Sequence, residues 1–135
     1  MHRRSVNPRT LYDAGQYGFV HATRSQGGTY LHCSGQVAFN KDSQTVGAND
    51  LAAQAAQAFD NLRAVLADQG AGPENVVSLR TYVTNYDVSK LDIVSGAIAD
   101  FFGDAEPSAQ TLLGVQALAL PDLLIEVEAV AALDD

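Results

Sequence analysis

The sequence predicts an α+β domain: a single mixed β-sheet with two helices packed on one of its faces. Three observations lead there. Pro121–Leu133 alternates cleanly, with Leu123, Ile125, Val127, Ala129 and Ala131 on one side and Leu124, Glu126, Glu128, Val130 and Ala132 on the other. A period of two over that length is a strand. Asp50–Gln69 places Leu51, Ala55, Ala58, Phe59, Leu62, Val65 and Leu66 on one helical stripe, as a helix lying on a core does. Strand-like and helix-like segments then follow in the order two or three strands, helix, strand, helix, two strands. Helices apolar on a single stripe pack most simply as one layer on one sheet.

In chain order, residues 1–16 are polar and hold at most a short edge strand near Thr10–Tyr12. Gly18–Thr23 and Tyr30–Ala38 read as strands joined by a turn over Arg24–Thr29, since Gly27-Gly28 readily takes positive φ. Gly35 inside the second strand marks a bulge or a close backbone approach. Asn40–Ser43 is a turn. Asn49 or Asp50 caps the first helix, Gly70 terminates it, and Gln54, Gln57, Asp60 and Asp68 form its expected solvated face. Asn75–Thr84 is rich in β-branched residues and alternates. A second helix runs from about Ser89 to Phe102, with Leu91, Val94, Ile98 and Phe101 inward and Gly103 as terminator. Gln110–Leu118 and the final strand complete the set.

The chain of 135 residues is expected to form one domain, residues 1–135. Sixteen acidic against eight basic residues leave a net charge of −8, which disfavours nucleic-acid binding. His2, Arg3 and Arg4 cluster, but at a terminus expected to fray. The single cysteine, Cys33, excludes an internal disulfide and suits a cytoplasmic protein. No apolar run reaches the roughly 18–20 residues of a membrane span. If both helices cover one sheet face, the other face is a large apolar patch, and a homo-oligomer in which such faces meet is expected.

Candidate chemistry is sparse. Glu126 and Glu128 share one face of an otherwise apolar strand, and a buried carboxylate needs water, a donor or another chain. Either could orient a water or bind an amine-like ligand at a subunit cleft, pair with Arg63 or Arg80, or simply be solvated at an edge. His32 and Cys33 are adjacent and point to opposite faces, so they do not form a nucleophile–base pair. His21 and His32 can face each other across the hairpin, yet two imidazoles make a weak zinc site. No metal is expected.

Taken together, SGQVAFN at 34–40, LAAQAAQAFDNLRAVLADQGA at 51–71, NVVSLRTYVTNYD at 75–87, the FFG at 101–103, TLLGVQAL at 111–118 and LLIEVEAVA at 123–131 resemble the RidA (YjgF-type) family of reactive-intermediate deaminases. The match runs in order from about residue 17. The resemblance implies a chorismate-mutase-like fold and a homotrimer with a barrel-like centre. Small-molecule clefts would lie between subunits. It implies hydrolysis of enamines or imines, such as 2-aminoacrylate, to a 2-keto acid and ammonia without a cofactor. Residue by residue, it implies a catalytic, water-directing role for Glu128 and substrate-binding roles for Phe19, Ser34, Ser95, Gln110 and Thr111. Three positions depart from the family pattern. Gln110 stands where family deaminases carry an arginine for the substrate carboxylate, Phe19 (or Tyr17, if the alignment slips by two) where they carry tyrosine, and Ser95 where they carry asparagine. Gln lacks the charge and the fork of Arg, so a substrate other than the usual 2-imino acids is expected, or ligand binding or a chaperone-like role without catalysis. Ribonuclease activity ranks last, because the net charge repels RNA.

Overall fold

The computed structural model describes residues 2–134. Its strands are β1 (His2–Val6), β2 (Ala22–Gln26), β3 (Thr29–Gln36), β4 (Val76–Thr84), β5 (Ala109–Val115) and β6 (Ile125–Leu133). Its helices are α1 (Leu51–Asp68) and α2 (Leu91–Phe102). Four strands form a mixed sheet in the order β3-β6-β4-β5, with β4–β5 parallel and the other pairs antiparallel.

The final strand occupies the interior of that sheet, between β3 and β4. Its alternation becomes a difference in burial. Ile125, Val127, Ala129 and Ala131 are buried, whereas Glu126, Glu128 and Val130 are half-buried. The buried row meets Leu79 and Val83 of β4 and the helical layer, where Ala55, Phe59, Leu62 and Leu66 of α1 and Val94, Ile98 and Phe101 of α2 complete one core. Each fully buried Leu there contributes about 1.5–3 kcal/mol. The Asp50 carboxylate caps α1 by accepting from the Ala53 amide at 3.1 Å, and Gly70 follows the helix in the left-handed region. On α2, Leu91 stays partly exposed and Phe102 turns inward instead.

Three expectations need correction. The sheet is not single, because β1 and β2 pair antiparallel as a separate two-stranded ribbon. The chain does turn at Gly27 and Gly28, with φ of +72° and +84°. The strands on either side then enter different sheets, so no β2–β3 hairpin brings His21 opposite His32. Alternation identifies a strand but not its partner, and β3 finds its partner in the long apolar β6. Thr10–Tyr12 is not a strand; the first strand lies earlier, over the polar His2–Val6. Arg3 fastens it by donating to the carbonyls of Glu74 at 2.8 Å and Glu106 at 2.6 Å, while the Ser5 hydroxyl bonds the Glu106 carboxylate.

Gln54, expected among the solvated residues, is completely buried. Its amide donates to the carbonyls of Gly47 (3.2 Å) and Asp122 (2.9 Å) and accepts from the Leu124 amide (2.9 Å). One side chain therefore ties α1 to the loop that leads into β6. Asn61 likewise donates to the carbonyls of Val37 and Phe39 after β3.

Gln54→Ala strands three buried backbone groups, so a loss of about 2–4 kcal/mol is expected in urea unfolding. A midpoint within error of the wild type would remove this role.

Candidate functional site

Among the described residues no helix packs on the outer face of the four-stranded sheet, and the polar side chains of that face follow from register. Glu128 of β6 lies opposite Arg80 of β4, and Arg80 lies opposite Thr111 of β5. In the next row Glu126 lies opposite Tyr82, and Tyr82 opposite Leu113. On the other side of β6 the pairing jumps from Cys33–Ala129 to Gln36–Val127. Ser34 and Gly35 occupy this bulge, beside Glu128. The bulge supplies the close approach that Gly35 suggested: a Cβ there would sit 2.7 Å from the Glu126 carboxylate carbon. Glycine leaves that carboxylate its place over the strand.

Glu128 is the centre of the arrangement. The Tyr82 hydroxyl donates to its Oε1, and Nη1 of Arg80 stands 3.9 Å from the same oxygen. Its side chain remains 34% exposed and that of Arg80 60%. A hollow of about 190 Å³ opens between His32, Ser78, Arg80 and Glu128, with Val130 as an apolar wall. The bond to Glu128 raises the Tyr82 phenol above its ordinary value, because the neutral phenol is the donor; desolvation and the nearby carboxylates act in the same direction. Burial also pushes the Cys33 thiol up, and Cys33 lies on the core side.

The other residues expected at the site divide by face. Ser34 and Thr111 share the outer face with Glu128. Gln110 does not: it pairs with the core residue Leu79, and its amide donates to the Gly18 carbonyl at 2.9 Å. Phe19 sits in the loop between β1 and β2. It lines a hollow of about 440 Å³ and contacts the Tyr12 ring edge-on at 6.3 Å. Ser95 is exposed on α2, in the helical layer across the sheet. Arg63 also belongs to that layer, with its guanidinium 5.2 Å over the Phe101 ring. The His21 ring nitrogen is within 2.8 Å of the Tyr12 carbonyl, and among the described residues no three His, Cys, Asp or Glu side chains cluster to hold a metal.

Sequence reasoning missed Tyr82 and could not place Arg80. Their signal was present, since Arg80 and Tyr82 alternate with the buried Leu79, Thr81 and Val83. The missing fact was that β4, and not another strand, pairs with β6.

A family model described as Endoribonuclease L-PSP matches residues 9–133. A RutC family protein of Synechocystis is 33% identical over 105 residues, covering 77% of this chain and 78% of that protein. A crystal structure of a Rid-family protein of unknown function from Yersinia pestis, YyfB, superposes with a TM-score of 0.95 at 47% identity, over 98% of this chain and 100% of that one. A YjgF-family structure from Mycobacterium tuberculosis gives 0.64 at 29% identity, over 98% and 100%.

Tyr82 yields a pH prediction. Its folded value lies above the ordinary 10.0, so its stabilising contribution is complete below pH 10 and is lost as pH rises through the folded value. In a spectrophotometric titration, Tyr82→Phe removes a late-ionising phenol and reduces the alkaline loss of stability. Superimposable profiles for wild type and variant would rule out the coupling.

Proposed function

The chain belongs to the Endoribonuclease L-PSP family, the RidA/YjgF proteins, and we propose that it hydrolyses a small imine or enamine to a carbonyl compound and ammonia, with Glu128 as the catalytic residue. The observation that carries this reading is the setting of Glu128: a partly exposed carboxylate on the rim of a small hollow, with one oxygen fixed by Tyr82 and the other without a hydrogen-bond partner among the described residues. The second Glu128 oxygen accepts a proton from a bound water as that water attacks the C=N carbon, and the proton passes to nitrogen to give a carbinolamine. The hydroxyl proton of the carbinolamine is then transferred through the carboxylate to nitrogen as the C–N bond breaks, which gives the carbonyl compound and ammonia; an enamine enters the same route after tautomerising to the imine. The step uses neither metal nor organic cofactor. A cytoplasmic setting suits the single free thiol.

The working form in this proposal is a homotrimer with clefts between subunits. The uncovered sheet face supports it, where Tyr30 and Leu113 are 47% and 43% exposed. Ser34 and Thr111 flank Glu128 within one chain. Phe19 and Ser95 join the ligand set from across a subunit boundary, whereas the Gln110 amide is already bonded to the Gly18 carbonyl. The family descriptor names ribonuclease activity, but the net charge of −8 opposes binding of RNA. A second reading is ligand binding without turnover, and the engagement of the Gln110 amide by the Gly18 carbonyl favours it.

Glu128→Gln keeps the acceptor for Tyr82 and removes the base. Ammonia release from freshly generated imines is expected to fall at least a hundredfold with melting temperature and oligomer unchanged. Undiminished turnover would exclude the role, and a wild type no faster than buffer would leave the binding reading. Light scattering is expected to give about three times the 14.3 kDa chain mass; a monomer would undo the cleft.

A further inference from the structure

The helical layer carries a larger cavity than the hollow beside Glu128. A groove of about 470 Å³ runs between α1 and α2, along their solvent side. The rings of Phe59 and Phe101, with centroids 5.1 Å apart, form its floor. Ala52 and Ala56 make one wall, Gly96 and Ala97 the other, and Ile93 stands 41% exposed at the edge. The lining extends over about three turns of each helix.

Two features of this groove serve nothing within the chain. Gly96 lies in the interior of α2, where glycine weakens a helix relative to alanine. A Cβ there would meet no atom within 4 Å, so no neighbour uses the missing side chain. Its absence leaves the groove open. Asp60, Asp92 and Asp100 also line the groove, and no described residue forms an ion pair with them or donates a side-chain hydrogen bond to them. Arg63, the cation at the rim, is committed elsewhere: it lies over the Phe101 ring and donates to the Phe101 carbonyl at 3.4 Å. Uncompensated negative charge therefore borders an apolar trough.

We propose that this groove is a docking surface for an amphipathic helix of a partner protein, with a narrow apolar stripe flanked by lysine or arginine. The stripe lies on Phe59, Phe101 and Ile93. Its flanking cations meet Asp92 toward one end and Asp60 and Asp100 toward the other. A second copy of this chain does not fit that description. Arg63 is the sole Lys or Arg of α1, α2 has none, and two copies each bring a net charge of −8. The groove lies across the sheet from Glu128, so it stays open when the uncovered sheet faces meet.

The test is an NMR titration of the intact protein with a short leucine–lysine peptide of amphipathic helical pattern. A peptide of the same composition in scrambled order is the control. The patterned peptide is expected to bind saturably and at least about tenfold more tightly than the control, with shifts centred on Ala56, Gly96 and Ala97. Gly96→Leu fills the groove from a position with room for a side chain, and is expected to weaken the patterned peptide at least about tenfold with the melting temperature maintained. Asp92→Asn combined with Asp100→Asn is expected to reduce the salt dependence of binding. Equal binding of the two peptides, no saturable binding, shifts centred on the sheet face, or full affinity in Gly96→Leu each overturns the proposal. Self-association of the protein alone that Gly96→Leu abolishes makes a second copy the occupant and overturns the assignment to a cationic partner.

Discussion

The pairing of β6 with β3 on one side and β4 on the other is the constraint from which the other elements take their positions. An interior strand has no free edge, so both rows of its side chains are fixed by neighbours. One row, Ile125, Val127, Ala129 and Ala131, is buried beneath α1 and α2. The other is held to the opposite face, and a slip of one residue would place two carboxylates in the core. The apolar row thereby fixes where Glu126 and Glu128 can be, and the chemistry proposed for Glu128 follows from that placement.

The polar row is built from neighbours of very different origin. Tyr82 and Arg80 come from β4, Thr111 from β5, and the bulge at Ser34–Gly35 from β3. Glu126 depends on the missing side chain of Gly35 for room. Glu128 depends on the Tyr82 hydroxyl to hold one oxygen, at the rim of the hollow. Its polar neighbours across the β4 pairing are a neutral donor, Tyr82, and a cation 3.9 Å away, Arg80.

Around this sheet, long side chains bond to backbone groups distant in sequence. Gln54 joins α1 to the approach to β6, Asn61 joins it to the segment after β3, Asn75 reaches the Ala132 carbonyl, and Arg3 joins β1 to two loops. These bonds satisfy carbonyls and amides that irregular segments would otherwise leave unpaired. They also hold the ribbon and loops against the sheet without adding apolar surface.

Local periodicity decided much of this protein. The alternation of Pro121–Leu133, the stripe of α1 and the turn residues gave the helices, the four sheet strands and the sidedness of Glu126 and Glu128, because a side chain's direction follows from backbone geometry alone. The ordered motifs also pointed to the family. Strand partners were decided only in three dimensions. Pairing depends on which apolar faces and backbone edges meet, and so β2 left β3 for β1 and Arg80 came to stand opposite Glu128. Burial of Gln54 was equally hidden, since a polar residue is buried only where distant backbone groups converge on it. The same held for Gln110, whose motif position aligned it with a ligand contact but whose strand parity turned it to the other face.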